Sequence, residues 1–324
     1  MLALAIQGIG GMNAFAAGVL YEFRKNEIEP ELISATSGAI YSTYLYLDSN
    51  PEAIQQYYEE FTEEERDLIP DELQFMRNVM FGVSGKFRPI HPMERFAENY
   101  PFSEPKQWMN FFFPAKVFHP TYPDSFYEKM AKRFSASSVG IMINAYHYEK
   151  DKAILYLNEA AMMKTNLEPG ETKDYIVKEM SAEGIRNSLQ LLQYGERKGE
   201  YDGAYQFNPV IGPLKKASKI ILITVESIEK SLHKIENYFD TQDFLLKMLF
   251  KNALHSELRN IRLINKLIDE GIVTHQRYHP IDIQIIQPST YRGYFDYFVE
   301  DYPFFQDGIK QGSEFISKSH STWR

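Results

Sequence analysis

The sequence predicts an α/β fold with three layers, in which helices cover both faces of a mainly parallel central sheet. Two observations support this prediction. Short, wholly apolar runs are typical of strands that are buried on both faces of a sheet. Segments with apolar residues at helical spacing follow such runs directly, and this alternation is how parallel sheets are built. A catalytic or binding site is then expected at the carboxyl ends of the first strands.

The first fifty residues contain one complete β-α-β-α unit. Leu2–Ile6 is an unbroken apolar run that ends in glycines, and Ala14–Lys25 has apolar residues at helical spacing. A second short run, Glu31–Ala35, leads into a helical segment at Gly38–Leu47. Strand, tight turn and helix therefore follow one another twice.

The rest of the chain returns to regular patterns after an aromatic-rich stretch that we interpret as an irregular or helical excursion over the sheet. Apolar runs predict four further strands, the first two of which are expected to pair as a hairpin: Val139–Ala145, Ala153–Leu157, Lys219–Val225 and Ile281–Ile286. Phe239–Glu270 has the spacing of a long helix, with Gly271 as its stop signal.

We find no internal repeat and no linker, which predicts a single domain over residues 1–324. Its catalytic core is expected at about residues 1–50 and 135–225. The excursion occupies about residues 51–134, and helices and a strand fill about residues 226–324.

Composition and charge exclude several classes of protein. The chain has 324 residues, 44% of them hydrophobic, and no cysteine, so disulfides and thiolate chemistry are excluded. A net charge of −9 argues against a nucleic-acid partner and against constitutive adsorption to anionic membranes. The amino terminus lacks the basic start of a signal peptide, and no apolar run reaches bilayer length. We therefore expect a cytoplasmic protein, at most peripheral at membranes.

Three segments carry residues suited to chemistry. Gly8–Gly11 follows the first strand, where backbone N–H groups can converge on an anion. Ala35–Ala39 places Ser37 in a sharp turn between strand and helix, which is the setting of a nucleophile elbow. Asp202–Ala204 offers a carboxylate at a turn, where it can accept a proton.

Each segment taken alone has a simpler explanation. Ser37 can cap the helix that follows it, and Asp202 followed by glycine is most often only a turn. Gly8–Gly11 nearly matches the dinucleotide fingerprint G-x-G-x-x-G, although Asn13 stands at the third glycine. A nucleotide-binding α/β protein therefore remains one alternative.

In this order, the three segments resemble the patatin-like phospholipase family, whose motifs are a glycine-rich loop, a serine in G-x-S-x-G and an aspartate in D-G-G or D-G-A. Asn208 and Pro209 also resemble the residues downstream of the family's aspartate. The resemblance implies a lipid acyl hydrolase with Ser37 as nucleophile and Asp202 as its proton acceptor. It further implies an oxyanion hole formed by backbone N–H groups, neither metal nor cofactor, and a phospholipid or other fatty-acyl ester as substrate. The residues implied for that hole are Gly10, Gly11 and Gly38.

The sequence also departs from the family's pattern. Ala35 and Ala39 replace the two elbow glycines, and Met12 stands where the glycine loop usually has a basic residue. A rival alignment makes Thr36 the nucleophile, but a β-branched hydroxyl fits a strained elbow less well. These departures leave open a catalytically weak relative that binds a lipid or a partner protein.

The aromatic stretch between residues 108 and 127 has three possible roles: core under the excursion, wall of an acyl-chain pocket, or a patch that makes transient contact with a membrane surface. The sequence does not separate them. Its members are Trp108, Phe111, Phe112, Phe113, Phe118, Tyr122, Phe126 and Tyr127.

Overall fold

The computed structural model describes residues 1–48, 50–66, 87–116, 118–120, 122–195, 197–228, 234–236, 238–273, 279–293 and 302–319. These residues form a mixed α/β structure around a central, mostly parallel sheet, which confirms the predicted fold class at that level. Within the same residues, no helix has both the length and the apolar character needed to cross a membrane.

The amino-terminal β-α-β-α unit is confirmed. Its elements are β1 (Leu2–Ile6), α1 (Asn13–Lys25), β2 (Leu32–Ala35) and α2 (Ala39–Asp48). β1 and β2 are parallel neighbours, with Ile6 beside Ala35 at their carboxyl ends. The turns that follow the two strands therefore leave the sheet side by side.

The excursion is largely helical where the structure describes it, and residues 67–86 lie outside the described part. The remaining α-helices and strands of the described residues are α3 (Pro51–Arg66), β3 (Phe87–Pro89), α4 (Pro92–Asn99), α5 (Pro105–Phe112), β4 (Phe118–Pro120), α6 (Asp124–Ser135), β5 (Gly140–His147), β6 (Lys152–Leu157), α7 (Glu159–Thr165), β7 (Gly170–Glu171), β8 (Tyr175–Glu179), α8 (Ala182–Ser188), β9 (Glu200–Asp202), β10 (Lys219–Ile223), α9 (Tyr238–Asp269), β11 (Asp282–Ile286) and α10 (Tyr302–Ser319).

Among the described residues, the sheet runs in the order β11-β10-β1-β2-β5-β6-β8-β7, and β9 also pairs with β5. The five strands from β11 to β5 are all parallel. β5 and β6 pair antiparallel, which confirms the predicted hairpin. β9 is also antiparallel to β5, so the chain returns to the carboxyl edge of the parallel block at Asp202.

Apolar residues form one core cluster on each face of the sheet. Alternate residues of β1 divide between them, because Leu4 and Ile6 belong to one cluster and Ala3 and Ala5 to the other. This alternation is what a strand buried on both faces requires.

The sequence did not predict α10, which packs against α1. Gly308 interrupts its apolar pattern and lowers its helix propensity. The two helix backbones nearly touch, since a Cβ added at Gly308 would lie 2.1 Å from the carbonyl oxygen of Phe15. Gly18 faces the same crossing, where an added Cβ would lie 2.1 Å from the carbonyl oxygen of Phe305. Tertiary packing therefore explains a glycine that looks unfavourable from propensity alone.

We predict that Gly308→Ala lowers the free energy of unfolding by about 1–3 kcal/mol, because the methyl group has no room between the two backbones. The loss is expected although alanine is the better helix former. Urea unfolding measures the change. Ser313→Ala, at an exposed position of the same helix, is the control and should shift stability by less than about 0.5 kcal/mol. Equal stability of the Gly308→Ala chain and the parent contradicts the close helix contact.

Candidate active site

Ser37 lies in the turn between β2 and α2. Its backbone φ is +51°, a left-handed conformation that residues other than glycine rarely adopt. Such strain costs on the order of 1–3 kcal/mol and is typical of functional turns. Ala35 and Ala39 flank the turn and are fully buried, so the turn forms with alanine at both positions.

The glycine turn after β1 contacts the serine turn directly. A Cβ added at Gly8 would lie 1.6 Å from the carbonyl oxygen of Thr36, so only glycine fits there. Gly38 makes the reciprocal contact, because its Cβ would lie 2.4 Å from Asn13 Oδ1 and 2.7 Å from the carbonyl oxygen of Gly10. The two turns thus meet backbone to backbone.

Asp202 approaches Ser37 from a distant part of the chain. It ends β9 opposite Ala145 of β5. Its Oδ2 accepts a hydrogen bond from the Ser37 hydroxyl at 2.6 Å, and its Oδ1 accepts one from the Ala204 N–H at 2.9 Å. The structure therefore brings together the predicted serine and aspartate.

Burial makes the Asp202 carboxylate unusually basic. The side chain is 1% exposed, and loss of hydration raises its pKa from 3.8 to about 7, although the hydrogen bonds from Ser37 and Ala204 act in the opposite direction. A carboxylate with this pKa can both accept and return a proton near neutral pH.

Three backbone N–H groups beside Ser37 are free to bind an anion. Those of Gly10, Gly11 and Gly38 donate to no acceptor among the described residues, whereas the Gly8 and Ile9 N–H groups are used within the fold. Gly10 has φ +45°, which re-aims the backbone at this point. Converging N–H groups of this kind form anion sites.

Two buried asparagines hold the glycine turn in place. Asn208 makes a pair of hydrogen bonds to Gly8, accepting from its N–H at 2.8 Å and donating to its carbonyl at 3.0 Å. Asn13 accepts from the Ile9 N–H and donates to the Gln7 carbonyl, both at 2.8 Å. Asn13, which stands at the third glycine position of the dinucleotide fingerprint, thus has a structural function in this chain.

A third buried asparagine, Asn144 on β5, was not singled out from the sequence. Its Oδ1 accepts from the Thr36 hydroxyl at 2.6 Å, and its amide donates to the Phe207 carbonyl at 3.1 Å. It also lies against Gly203, where an added Cβ would be 2.1 Å from its nitrogen. Asn144 therefore links the turn that contains Ser37 to the loop that begins at Asp202 (residues 202–208, the aspartate loop). In the sequence, Asn144 is recognisable as the one polar side chain in the apolar run Val139–Ala145.

The hydrogen bonds also distinguish Ser37 from its rival Thr36. The Thr36 hydroxyl is engaged by Asn144, whereas the Ser37 hydroxyl donates to Asp202. No histidine among the described residues bonds to either Ser37 or Asp202. Within the same part of the chain, His, Asp and Glu side chains form no group of three that could hold a metal ion.

The structure separates the aromatic stretch into two groups. Tyr127 is buried, and Tyr122 and Phe126 pack against the main core. Trp108 and Phe112 are instead exposed on the surface. The stretch therefore does not act as one unit.

Comparison with known proteins adds no relative. A scan against models of protein families finds no match, and a search of curated proteins finds none either. The resemblance to patatin-like phospholipases therefore rests on the motifs alone.

We predict that Asp202→Asn changes how stability depends on pH. The folded parent keeps a proton on Asp202 up to about pH 7, whereas the unfolded chain releases it near pH 4, so parent stability falls as pH rises through that window. Asparagine does not titrate, so the variant loses the part of this fall that Asp202 causes, while Glu226 and Glu257, whose pKa values are also raised to about 7, still contribute. A pKa difference of about 3 units corresponds to about 4 kcal/mol of stability that the parent has at pH 4 and loses by pH 8.

Chemical unfolding from pH 4 to pH 8 measures the effect. Ser37→Ala is the matched control, because it keeps the carboxyl group but removes a hydrogen bond that stabilises its charged form. The stability of Ser37→Ala should therefore keep falling to a higher pH than that of the parent. Parallel curves for the parent and Asp202→Asn contradict a raised pKa at Asp202.

Proposed function

We propose that this protein is a serine-dependent lipid acyl hydrolase that cleaves carboxylic ester bonds. One observation carries the proposal: the hydroxyl of a serine in a strained turn donates to a buried, basic aspartate beside three free N–H groups. This combination supplies a nucleophile, a base and an anion site within one small volume. We further propose a three-layer, patatin-like arrangement of the fold.

Acylation begins when Ser37 Oγ attacks the carbonyl carbon of the ester. As the new C–O bond forms, the hydroxyl proton moves to Asp202 Oδ2. The tetrahedral intermediate then collapses, the ester C–O bond breaks, and Asp202 returns the proton to the departing alcohol. Ser37 is left carrying the acyl group.

Deacylation repeats the same steps with water. Asp202 accepts a proton from water as the water oxygen bonds to the acyl carbon. The bond to Ser37 Oγ then breaks, and the proton passes from Asp202 back to the serine. A free fatty acid is released, and the site returns to its starting state.

The glycine turn supplies charge stabilisation. The carbonyl oxygen becomes an oxyanion in each tetrahedral intermediate, and the N–H groups of Gly10, Gly11 and Gly38 are the donors we assign to it. Loss of one such donor typically costs about 100–1,000-fold in turnover. No basic side chain is required, so Met12 is compatible with this function.

The substrate class is inferred from the motifs and from an aromatic wall near the serine. Tyr41 lies one helical turn after Ser37, and its ring centroid is 5.6 Å from that of Tyr57, 6.3 Å from Tyr122 and 5.9 Å from Phe126. Because this aromatic wall begins on the helix that follows the nucleophile, it supplies apolar surface that suits the acyl chain of a lipid. A phospholipid or another fatty-acyl ester is therefore the proposed substrate.

We predict that the parent chain hydrolyses p-nitrophenyl esters and is labelled by a fluorophosphonate, and that Ser37→Ala abolishes both. Asp202→Asn should lower turnover by about 100–10,000-fold through loss of the base. Mass spectrometry of the labelled peptide identifies the modified residue.

Thr36→Val is the control for the rival nucleophile. It should keep fluorophosphonate labelling at Ser37, and a thermal melt verifies that it is folded. Loss of labelling in folded Thr36→Val but not in Ser37→Ala would assign the nucleophile to Thr36. A folded parent that neither hydrolyses the ester nor reacts with the fluorophosphonate would favour the alternative of a protein that binds lipids or protein partners. That alternative is based on Ala35, Ala39 and Met12.

We predict that kcat/KM rises with pH and levels off above about pH 7, because only the charged form of Asp202, whose pKa is about 7, accepts the serine proton. Below that pH, the rate should fall about tenfold per unit. Initial rates with a short p-nitrophenyl ester, corrected for spontaneous hydrolysis, give the profile. An acid limb near pH 4 would contradict the raised pKa.

A further inference from the structure

In the part of the chain that the structure describes, a large group of exposed aromatic side chains lies on one helical hairpin. We define the aromatic hairpin as residues 92–113, which comprise α4, α5 and the turn between them. The large apolar side chains that it exposes are Met93, Phe96, Tyr100, Trp108, Met109, Phe112 and Phe113. The exposed fraction of these side chains ranges from 43% at Phe96 to 75% at Phe113.

The aromatic hairpin holds its shape without a core of its own. No residue of α5 is buried. The ring centroids of Phe102 and Trp108 are 4.5 Å apart, and the Trp108 indole N–H donates to the Phe102 carbonyl at 3.0 Å. Gln107 accepts from the Glu104 N–H at the start of α5. The exposed rings therefore belong to an ordered surface.

The aromatic hairpin is connected to the loop that follows Asp202 through a short series of contacts. β4, which follows it, packs against the 3₁₀ turn Leu192–Tyr194. The Leu192 N–H in turn donates to the Tyr205 hydroxyl at 3.2 Å, and Tyr205 lies three residues after Asp202. β4, which follows the hairpin, is therefore linked through two short contacts to the aspartate loop.

Charge indicates what kind of surface fits. The aromatic hairpin has three acidic side chains, Glu94, Glu98 and Glu104, against two basic ones, Arg95 and Lys106. Its formal charge is therefore −1, in a chain of net charge −9. Anionic lipid repels a negative chain, and a hairpin without excess positive charge gains nothing from anionic lipid. Exposed Trp, Tyr and Phe are the residues that seat at the interface of a bilayer.

We propose that the aromatic hairpin docks this protein on the surface of a neutral, zwitterionic lipid bilayer. The bilayer then presents its esters to the site that contains Ser37 and Asp202. This second step rests on the proposed function, whereas docking itself does not. A protein partner or a second copy of the chain would give different results in the experiment that follows.

Trp108 provides a direct probe of docking. The chain has two tryptophans, Trp108 and Trp323, so Trp323→Phe leaves a single reporter on the hairpin. Ser37→Ala in the same chain prevents hydrolysis during the measurement. With phosphatidylcholine vesicles, Trp108 emission should shift to shorter wavelength, and brominated acyl chains should quench it.

Phe112→Ser with Phe113→Ser removes two exposed rings and should weaken vesicle binding by about 10–100-fold. Tyr148→Ser is the matched control, because Tyr148 is 68% exposed in the turn between β5 and β6. It should bind vesicles like the parent. Thermal melts verify that all chains remain folded.

Hydrolysis separates docking from catalysis. With Ser37 intact, the double variant should hydrolyse a soluble short ester at the parent rate but phosphatidylcholine vesicles about 10-fold or more slowly. Failure to hydrolyse any ester defeats the proposed function, and the Trp108 signal still decides docking.

Three results would overturn docking on a neutral bilayer. The first is no Trp108 shift with phosphatidylcholine vesicles, and the second is an equal shift in the parent and the double variant. The third is binding that requires anionic lipid. If the first result is obtained, a parent that self-associates and a double variant that is monomeric would identify a second copy as the occupant.

Discussion

The contact between two backbone turns is the constraint on which the rest of the site depends. β1 and β2 are parallel neighbours, so the turns that follow them leave the sheet together. Gly8 lies against the Thr36 carbonyl, and Gly38 lies against the Gly10 carbonyl, with no room for a side chain at either glycine. This contact places a serine hydroxyl and three free N–H groups on the same edge of the sheet. Any larger residue at Gly8 or Gly38 must separate the turns and with them the nucleophile and the anion site.

The buried aspartate has a cost of its own, because a carboxylate in the interior loses its hydration. The loops around it are held by neutral amides: Asn13 braces the glycine turn, and Asn144 and Asn208 make hydrogen bonds from one loop to another. Among the described residues, Asp202 itself retains the Ser37 hydroxyl and the Ala204 N–H as its donors. A cation beside it would lower its pKa and make it a poorer base. The site thus sacrifices stability near neutral pH for proton affinity, a balance typical of catalytic groups.

Aromatic residues have three different environments in this chain. Phe15 packs against Phe304 in the core, Tyr41 joins the aromatic wall near Ser37, and Phe112 lies exposed. Spacing alone does not distinguish these environments, because burial depends on what the rest of the chain places opposite each ring. For the same reason, the sequence of the stretch between residues 108 and 127 is compatible with core, pocket wall and membrane patch.

The sequence by itself determined the local elements: β1, α1, β2, α2, the β5–β6 hairpin and the turn that holds Ser37. Apolar periodicity and turn residues act over a few positions, so they are visible without a fold. The motif resemblance implied that Asp202 pairs with Ser37, but the contact itself, across 165 positions of sequence, is made by the tertiary structure. Only the tertiary structure decided that Asn144 joins their loops and that α10 lies on α1 through Gly18 and Gly308. These contacts depend on sheet order and on the register of β9 against β5, which place distant residues together through pairing that no local pattern encodes.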